Sequence, residues 1–198
     1  MSGDGAALGE PSIQGAVIQG LVDDVARLRH TGRISEEELE KYLMEEDREL
    51  LESRVLARQW YPMHQYGRFI ELVVAKEANG HRDDYLVERG RRAAERLLVR
   101  IDAQYDLQGE PWGPTVTTLL TPLVNMIHNY TDWKLEIVEP TRCYRVCVEA
   151  SAEFPEPARY TTQGFIYHFV TRAAGAPVRV TSQRIDARQV KYLIEKDD

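Results

Sequence analysis

The element that most constrains the fold begins at Trp60-Tyr61-Pro62, where a turn leads into an apolar helix. Pro62 suits the first helical position, because its fixed φ is helical and an N–H there would have no helical partner. One apolar stripe follows at the spacing of a helix packed on a core: Tyr66, Phe69, Ile70, Val73 and Val74. We therefore predict that Trp60 and Phe69 are core anchors and that the helix runs to about Ala78.

Composition limits the class of protein. The chain has 198 residues, of which 43% are hydrophobic and 29% charged, and this is typical of one globular domain. A net charge of −7 argues against a nucleic-acid partner, since binding to phosphates needs a basic face. The sequence shows no secretory signal and no apolar run of membrane-spanning length, so we expect a cytoplasmic protein without a membrane span. We predict a disordered tail over residues 1–11 and a single α+β domain over 12–198.

Hydrophobic periodicity predicts helices first and strands later. A helix from Ser12 to His30, capped by Ser12, carries an apolar stripe of Ile13, Val17, Leu21, Val25 and Leu28. Further helices are predicted from a capping box at Ser35, from Pro62, over Asp83–Tyr105, over Thr115–Asn129 and over Thr161–Ala174. The last of these is expected to bury Phe165, Ile166, Phe169 and Val170. Strands after Asp132, around Cys143 and in the last twenty or so residues give a β-β-α-β-β order. We predict an α+β fold with a helical layer on a small antiparallel sheet.

Two surfaces are candidates for protein contacts. Cys143 and Cys147 share one face of a predicted strand, and at the rise of a strand they lie about 13 Å apart, too far for a disulfide. The mixed chemistry of this face suggests partial exposure or a dimer contact. The second candidate is the helix over residues 12–31, through Val17, Leu21 and Val25. It packs on its own domain or binds a partner, and the sequence does not decide between the two.

Three segments of the chain resemble a known superfamily. They are the helix opening with Trp60-Tyr61-Pro62, the run Gly90-Arg91-Arg92-Ala93-Ala94 and the Gly164-Phe165-Ile166 helix. Together they resemble the superfamily that joins haem–nitric-oxide-binding domains, vinyl-reductase-type small-molecule-binding domains and membrane-tethering TRAPP subunits. Within it the chain is most similar to a group of myxobacterial paralogues. The resemblance covers roughly residues 47–195. It implies a sheet with a helical layer, a cavity between them in some members and dimers in several branches. It does not imply an enzyme.

Haem is the cofactor that this resemblance raises. The haem-binding branch needs a proximal histidine and a Tyr-x-Ser-x-Arg motif, which Tyr144-Arg145-Val146-Cys147 does not match. The histidines that remain as candidates are His64, His128 and His168. We expect no cofactor, because a single helical histidine is more often a surface or hydrogen-bonded side chain.

No other catalytic or metal motif is present. Zinc would need three or four closely spaced Cys or His ligands, and no Gly-x-Ser-x-Gly or phosphate-binding glycine loop occurs. We therefore predict a non-enzymatic regulatory or scaffolding protein that acts through protein partners, as a homodimer. The alternative, from a different class, is a sensor that holds an apolar small molecule between its helices and its sheet.

Overall fold

The computed structural model describes residues 10–101, 112–150, 152 and 154–196, and the side chains of 97–101 and 112–119 lie outside the description. Of the predicted tail, only Glu10 and Pro11 are described. Backbone contacts divide the chain into two compact units. The first comprises the residues up to Gly80 together with Met126–Tyr130, and the second comprises His81–Asn125 and the residues from Thr131 onward. The prediction of a single domain over 12–198 stays a prediction, and each unit is described by itself.

Helices and strands alternate irregularly along the chain. In the first half the elements are β1 (Ser12–Gln14), α1 (Gly15–His30), α2 (Glu36–Tyr42), α3 (Glu45–Glu52), β2 (Trp60–Pro62), α4 (Met63–Glu77) and α5 (Arg82–Ile101). In the second half they are α6 (Trp112–Ile127), β3 (Thr131–Glu139), β4 (Cys143–Ala150), α7 (Glu156–Ala174), β5 (Val178–Arg184) and β6 (Gln189–Lys196). The predicted α+β class is confirmed.

The N-terminal helix starts later than its apolar pattern predicts. Ser12 does not cap it, because Ser12–Gln14 forms strand β1, which pairs antiparallel with β2. The Ser12 hydroxyl instead donates to the Glu10 carbonyl at 2.6 Å. Helix α1 begins at Gly15, where a Cβ atom would lie 2.1 Å from the Leu56 carbonyl oxygen. Only glycine fits this approach of two backbones.

Trp60 is not a core anchor, and this part of the prediction is wrong. The segment Trp60–Pro62 is a strand, so its side chains alternate between the two faces. Tyr61 points inward and its hydroxyl accepts a hydrogen bond from the Leu56 N–H at 2.9 Å, whereas Trp60 is 40% exposed. Phe69 on α4 is fully buried, as predicted.

Helix α2 carries the predicted capping box. The Ser35 hydroxyl accepts from the Glu38 N–H, and the Glu38 carboxylate accepts from the Ser35 N–H. Asp47 lies within the next helix. It is the third residue of α3, accepts from the Met44 N–H at 2.9 Å, and is completely buried beside Arg68 of α4.

The second unit is built on a four-stranded antiparallel sheet in the order β3-β4-β6-β5. One sheet face is apolar, with Trp133, Tyr144, Val146, Val148, Val190, Tyr192 and Ile194. Trp133 and Tyr192 stack with ring centroids 6.3 Å apart. Helix α7 packs on the sheet, since the Tyr192 hydroxyl donates to the Arg159 carbonyl and the Gln163 amide donates to the Val180 carbonyl.

Helix α7 is longer than predicted. It begins at Glu156 instead of Thr161, because Pro157 falls in the first turn, where a missing N–H costs nothing. Ile166, Phe169 and Val170 are buried as expected, but Phe165 is only half-buried.

Helices α5 and α7 cross at two glycines. A Cβ atom on Gly90 would lie 1.9 Å from the Thr161 carbonyl oxygen, and one on Gly164 would lie 1.8 Å from the Val87 carbonyl oxygen. The small residues of α5 therefore pack against α7 of the same unit.

The predicted end of the α5 segment at Tyr105 lies outside the described residues. Helix α6 begins three residues before the predicted Thr115 and continues past Pro122. Within the described part of the chain, no helix is both long enough and apolar enough to cross a membrane.

Candidate functional site

Two of the predicted ligand histidines lie at partly exposed positions. His64 is the second residue of α4, and its Nδ1 lies 3.5 Å from the Glu10 carboxylate, with about half of its side chain exposed. His168 is half-buried on α7. Burial lowers its pKa, and the charges of Arg91 and Arg172 lower it further. Both environments are those of surface histidines.

His128 is the one buried histidine among the five of the chain, all of which are described. It forms an isolated antiparallel bridge with Ile13, and its ring meets Tyr130 edge-on at a centroid distance of 5.8 Å. Burial lowers its pKa to about 4, so the ring is neutral at physiological pH. Burial also raises the pKa of Tyr130, and the neighbouring Tyr66 adds to this. These residues form a neutral polar cluster in the first unit.

Asn129 holds the start of the described chain beside this cluster. Its side-chain carbonyl accepts from the Ser12 N–H at 2.8 Å, and its side-chain amide donates to the Glu10 carbonyl at 3.2 Å. Sequence reasoning named His128 but missed Asn129 and Tyr130. No local pattern could have found them, because Asn129 and Ser12 are 117 positions apart.

The predicted interaction residues of α1 face their own unit. Leu21 and Val25 are buried, and Val17 is half-buried, on a helix that packs against α4. The apolar stripe is therefore occupied within the first unit.

Cys143 and Cys147 lie on the polar face of the sheet, and both are free thiols. Cys147 is buried, and burial together with the nearby Glu136 carboxylate raises its pKa. A thiol in this environment stays protonated and is a poor nucleophile. Ion pairs cover the rest of this face: Lys134–Glu149 at 3.2 Å, Arg145–Glu136 at 3.1 Å and Arg179–Glu195 at 2.8 Å.

A cleft of about 540 Å³ lies in the first unit, among α1, α2 and α3. Its lining includes four glutamates and two arginines: Glu36, Glu45, Glu49, Glu52, Arg29 and Arg48. Arg29 donates to Glu36 at 2.7 Å and to Glu52 at 2.5 Å. Two more carboxylates than guanidinium groups give this lining a negative balance, which favours a small polar ligand with a positive charge and disfavours an anionic one.

Metal ligands do not converge in the described residues. No group of three His, Cys, Asp or Glu side chains is placed to hold an ion there. In the second unit, the apolar face of the sheet is filled by side chains such as Tyr192, Phe154 and Phe169, all fully buried.

Comparison with known proteins gives a likeness at the level of structure. No protein-family model matches the sequence, and no curated protein matches it. Among solved structures, a Cs H-NOX mutant aligns with a TM-score of 0.64 and 11% identity, over 94% of this chain and 97% of that one. A point mutant of the Fe(II) unliganded H-NOX protein from K. algicida aligns with a TM-score of 0.61 and 13% identity, over 94% of this chain and 97% of that one. A point mutant of T. tengcongensis H-NOX aligns with a TM-score of 0.62 and 11% identity, over 94% of this chain and 98% of that one.

The chain has the H-NOX fold. H-NOX domains are haem nitric oxide/oxygen binding domains, so the fold raises the question of whether these residues suit haem. No tyrosine of the sequence is followed by the Ser and the Arg of the propionate-binding motif. After Tyr144 these two positions are Val146 and Val148, and the Tyr144 hydroxyl accepts a hydrogen bond from the Thr141 N–H. The acidic lining of the cleft repels a group with two carboxylates. Neither the sequence around Tyr144 nor the lining of this cleft therefore fits haem.

Proposed function

We propose that this chain is a non-catalytic sensor module with the H-NOX fold, responding to a small molecule other than haem. The observation that carries the proposal is the likeness of fold, which extends over 94% of this chain and nearly the whole of each H-NOX chain compared. A shared fold supports a shared type of task only by analogy, so the ligand has to be argued from the residues present.

The environments of the three candidate histidines are a further argument against haem. His64 is exposed beside the Glu10 carboxylate, and His168 is half-buried among charged side chains. The buried ring of His128 lies edge-on against the Tyr130 ring. A sensor built on these residues uses a different ligand.

We place the ligand in the cleft among α1, α2 and α3. Because its lining carries two more carboxylates than guanidinium groups, we infer a small polar cation instead of the apolar molecule of the alternative prediction. Glu45 and Glu49 line the cleft from the same helix. We infer that their carboxylates attract the ligand and that Arg29, with its ion pairs to α2 and α3, holds the two short helices in place.

Ligand binding is tested on the full chain by a thermal-shift screen with small amines, amino acids and nucleosides, and with haem and fatty acids as competing classes. We expect one cationic class to raise the melting temperature in a dose-dependent way. The double variant Glu45→Gln/Glu49→Gln should lose this shift, while the control Glu37→Gln, on α2 outside the cleft lining, keeps it. A shift caused only by haem or fatty acids would contradict the proposal.

The cytoplasmic location, the non-enzymatic role and the likeness to TRAPP subunits and myxobacterial paralogues remain part of this proposal. A sensor transmits its state through protein contacts, so the predicted regulatory role and the sensor role are compatible.

A further inference from the structure

Strand β3 is an edge strand with exposed apolar side chains. It lies at the end of the β3-β4-β6-β5 order, and β4 is its only strand partner within the described residues. Ile137 is 66% exposed and Val138 is 48% exposed. An edge with large exposed apolar residues is a template for pairing with another strand.

The sequence of β3 is complementary to itself. We propose that β3 pairs antiparallel with β3 of a second copy of this chain, in a two-fold register centred on Leu135. In this register Lys134 stands opposite the second copy's Glu136, and by symmetry Glu136 stands opposite its Lys134. On the other face, Trp133 stands opposite Ile137, an aromatic pair with a β-branched residue of the kind that stabilises sheets. The pairing covers the exposed Ile137 side chain.

Neighbouring registers are less favourable. Side chains alternate between the two faces along a strand, and two directly paired residues must point to the same face. The two-fold axis of a symmetric pairing therefore passes through a residue paired with its own copy, and not between two residues. Centring on Lys134 or Glu136 places like charges opposite each other, which is destabilising. Centring on Trp133 pairs Lys134 with Asp132 but shortens the overlap and leaves Ile137 exposed. The β-bulge between Ile137 and Glu139 lies outside the pairs from Trp133 to Ile137.

The charges already present within one copy extend this pairing. Glu136 accepts from Arg145 at 3.1 Å, and Lys134 donates to Glu149 at 3.2 Å. A row of charged side chains therefore crosses the proposed interface on one face of the sheet. It runs from Arg145 to Glu136 and then to the second copy's Lys134, and the charges alternate in sign. An edge that carried charges of one sign would repel its own copy. The alternating charges of β3 instead favour antiparallel pairing with an identical strand.

The opposite edge of the sheet lacks this property. Strand β5 carries Arg179 and Arg184 and no acidic residue, so two copies of β5 would bring no opposite charges together. Of these two edge strands, only β3 carries charges of both signs, as expected if β3 and not β5 forms the contact between copies.

Charge reversal with rescue tests this interface. Sedimentation equilibrium of the full chain at low salt should show a dimer in the micromolar range. Lys134→Glu places glutamates opposite each other at two symmetric positions, and should raise the dimer dissociation constant at least tenfold. Lys134→Glu/Glu136→Lys restores opposite charges and should bring the constant back to within about threefold of wild type. Arg179→Glu breaks a comparable ion pair at the β5 edge and should leave the constant unchanged.

The result that overturns the proposal is a wild-type chain that stays monomeric at tens of micromolar. A dimer that Lys134→Glu does not weaken, or a swapped double variant that stays monomeric, overturns this register as well. A cross-link provides a readout that does not depend on these charges. Leu135→Cys should form a disulfide between identical positions, identified by peptide mapping, whereas Thr131→Cys, which pairs with Glu139 in this register, should not link to itself. Failure of the 135–135 link under oxidation would also contradict the pairing.

Discussion

His128 is the residue whose protonation most directly couples the first unit to pH. Its pKa falls from the ordinary 6.5 to about 4, because the buried ring cannot be charged without losing its hydration. Between these values the unfolded chain binds a proton that the folded chain does not. Stability from this group is therefore complete above pH 6.5 and is lost as the pH falls toward 4.

We expect wild type to lose about 2 kcal/mol of unfolding free energy at this residue between pH 7 and pH 5, from the shift in pKa. Urea unfolding at the two pH values measures it. His128→Gln should be less stable at pH 7 and should lose less stability on acidification. His64→Gln, at an exposed position, is the control and should follow wild type. If the unfolding free energies of His128→Gln and wild type changed equally between pH 7 and pH 5, His128 would not be held neutral in the folded protein.

Asp47 offers a second test at this scale. It is completely buried and accepts two hydrogen bonds from Arg68, one of them at 2.8 Å from Nη2 to Oδ1, while Glu46 meets the same guanidinium from an exposed position. Asp47→Asn should lower the unfolding free energy by about 2 kcal/mol, since hydrogen bonds to charged groups contribute more than neutral ones. Glu46→Gln should cost under about 1 kcal/mol. If both variants lost the same unfolding free energy in urea, burial would not make the Arg68–Asp47 pair more stabilising than the Arg68–Glu46 pair.

Sequence patterns predict single residues unevenly. The stripe that places Phe69 in the core depends on helical period, and it is right because α4 is a helix throughout. Trp60 was assigned to the same core, but it lies in a three-residue strand whose alternation turns it outward. Asn129 and Tyr130 gave no signal, because their partners lie far away in the sequence.

At the scale of elements, the crossing of α5 and α7 depends on two glycines facing two carbonyl oxygens. Gly90 is a small residue within a predicted helix, but the sequence could not show that α7 approaches it. The sequence misplaced the starts of α1, α6 and α7, which were predicted at Ser12, Thr115 and Thr161. Local propensity is weakest there, and distant hydrogen bonds or a tolerated proline decide the boundary.

Gly90→Ala should destabilise the protein by about 1–3 kcal/mol, because the new methyl group has to displace the Thr161 backbone. Gly67→Ala on α4 is the matched control. Apart from its chain neighbours and the backbone of its own helix, no atom lies within 4 Å of its added Cβ, so this variant should be neutral or stabilised by up to about 1 kcal/mol. Thermal unfolding of both variants decides the point. A Gly90→Ala protein as stable as wild type would mean that the two helices do not cross this closely.

At the scale of the whole molecule, the order of the long helices and of the strands of the four-stranded sheet could be predicted from periodicity, and the likeness of fold to H-NOX domains agrees with it. The short strands β1 and β2 were not predicted. The candidate ligand cleft could not be predicted, because it is formed by charged residues on short helices that read as solvated surface in the sequence. The α1 stripe, one of the two surfaces that the sequence offered for protein contacts, faces its own unit. Strand β3 remains as the element with a self-complementary edge.

The central claim is that an H-NOX fold here serves a ligand other than haem. Native mass spectrometry of the full chain, isolated from its source organism and again after incubation with equimolar haem, tests this most directly. We expect a reproducible bound small molecule in the first sample and no retained haem in the second. Stoichiometric haem that survives desalting would contradict the claim, and so would a chain that carries no small molecule in either sample.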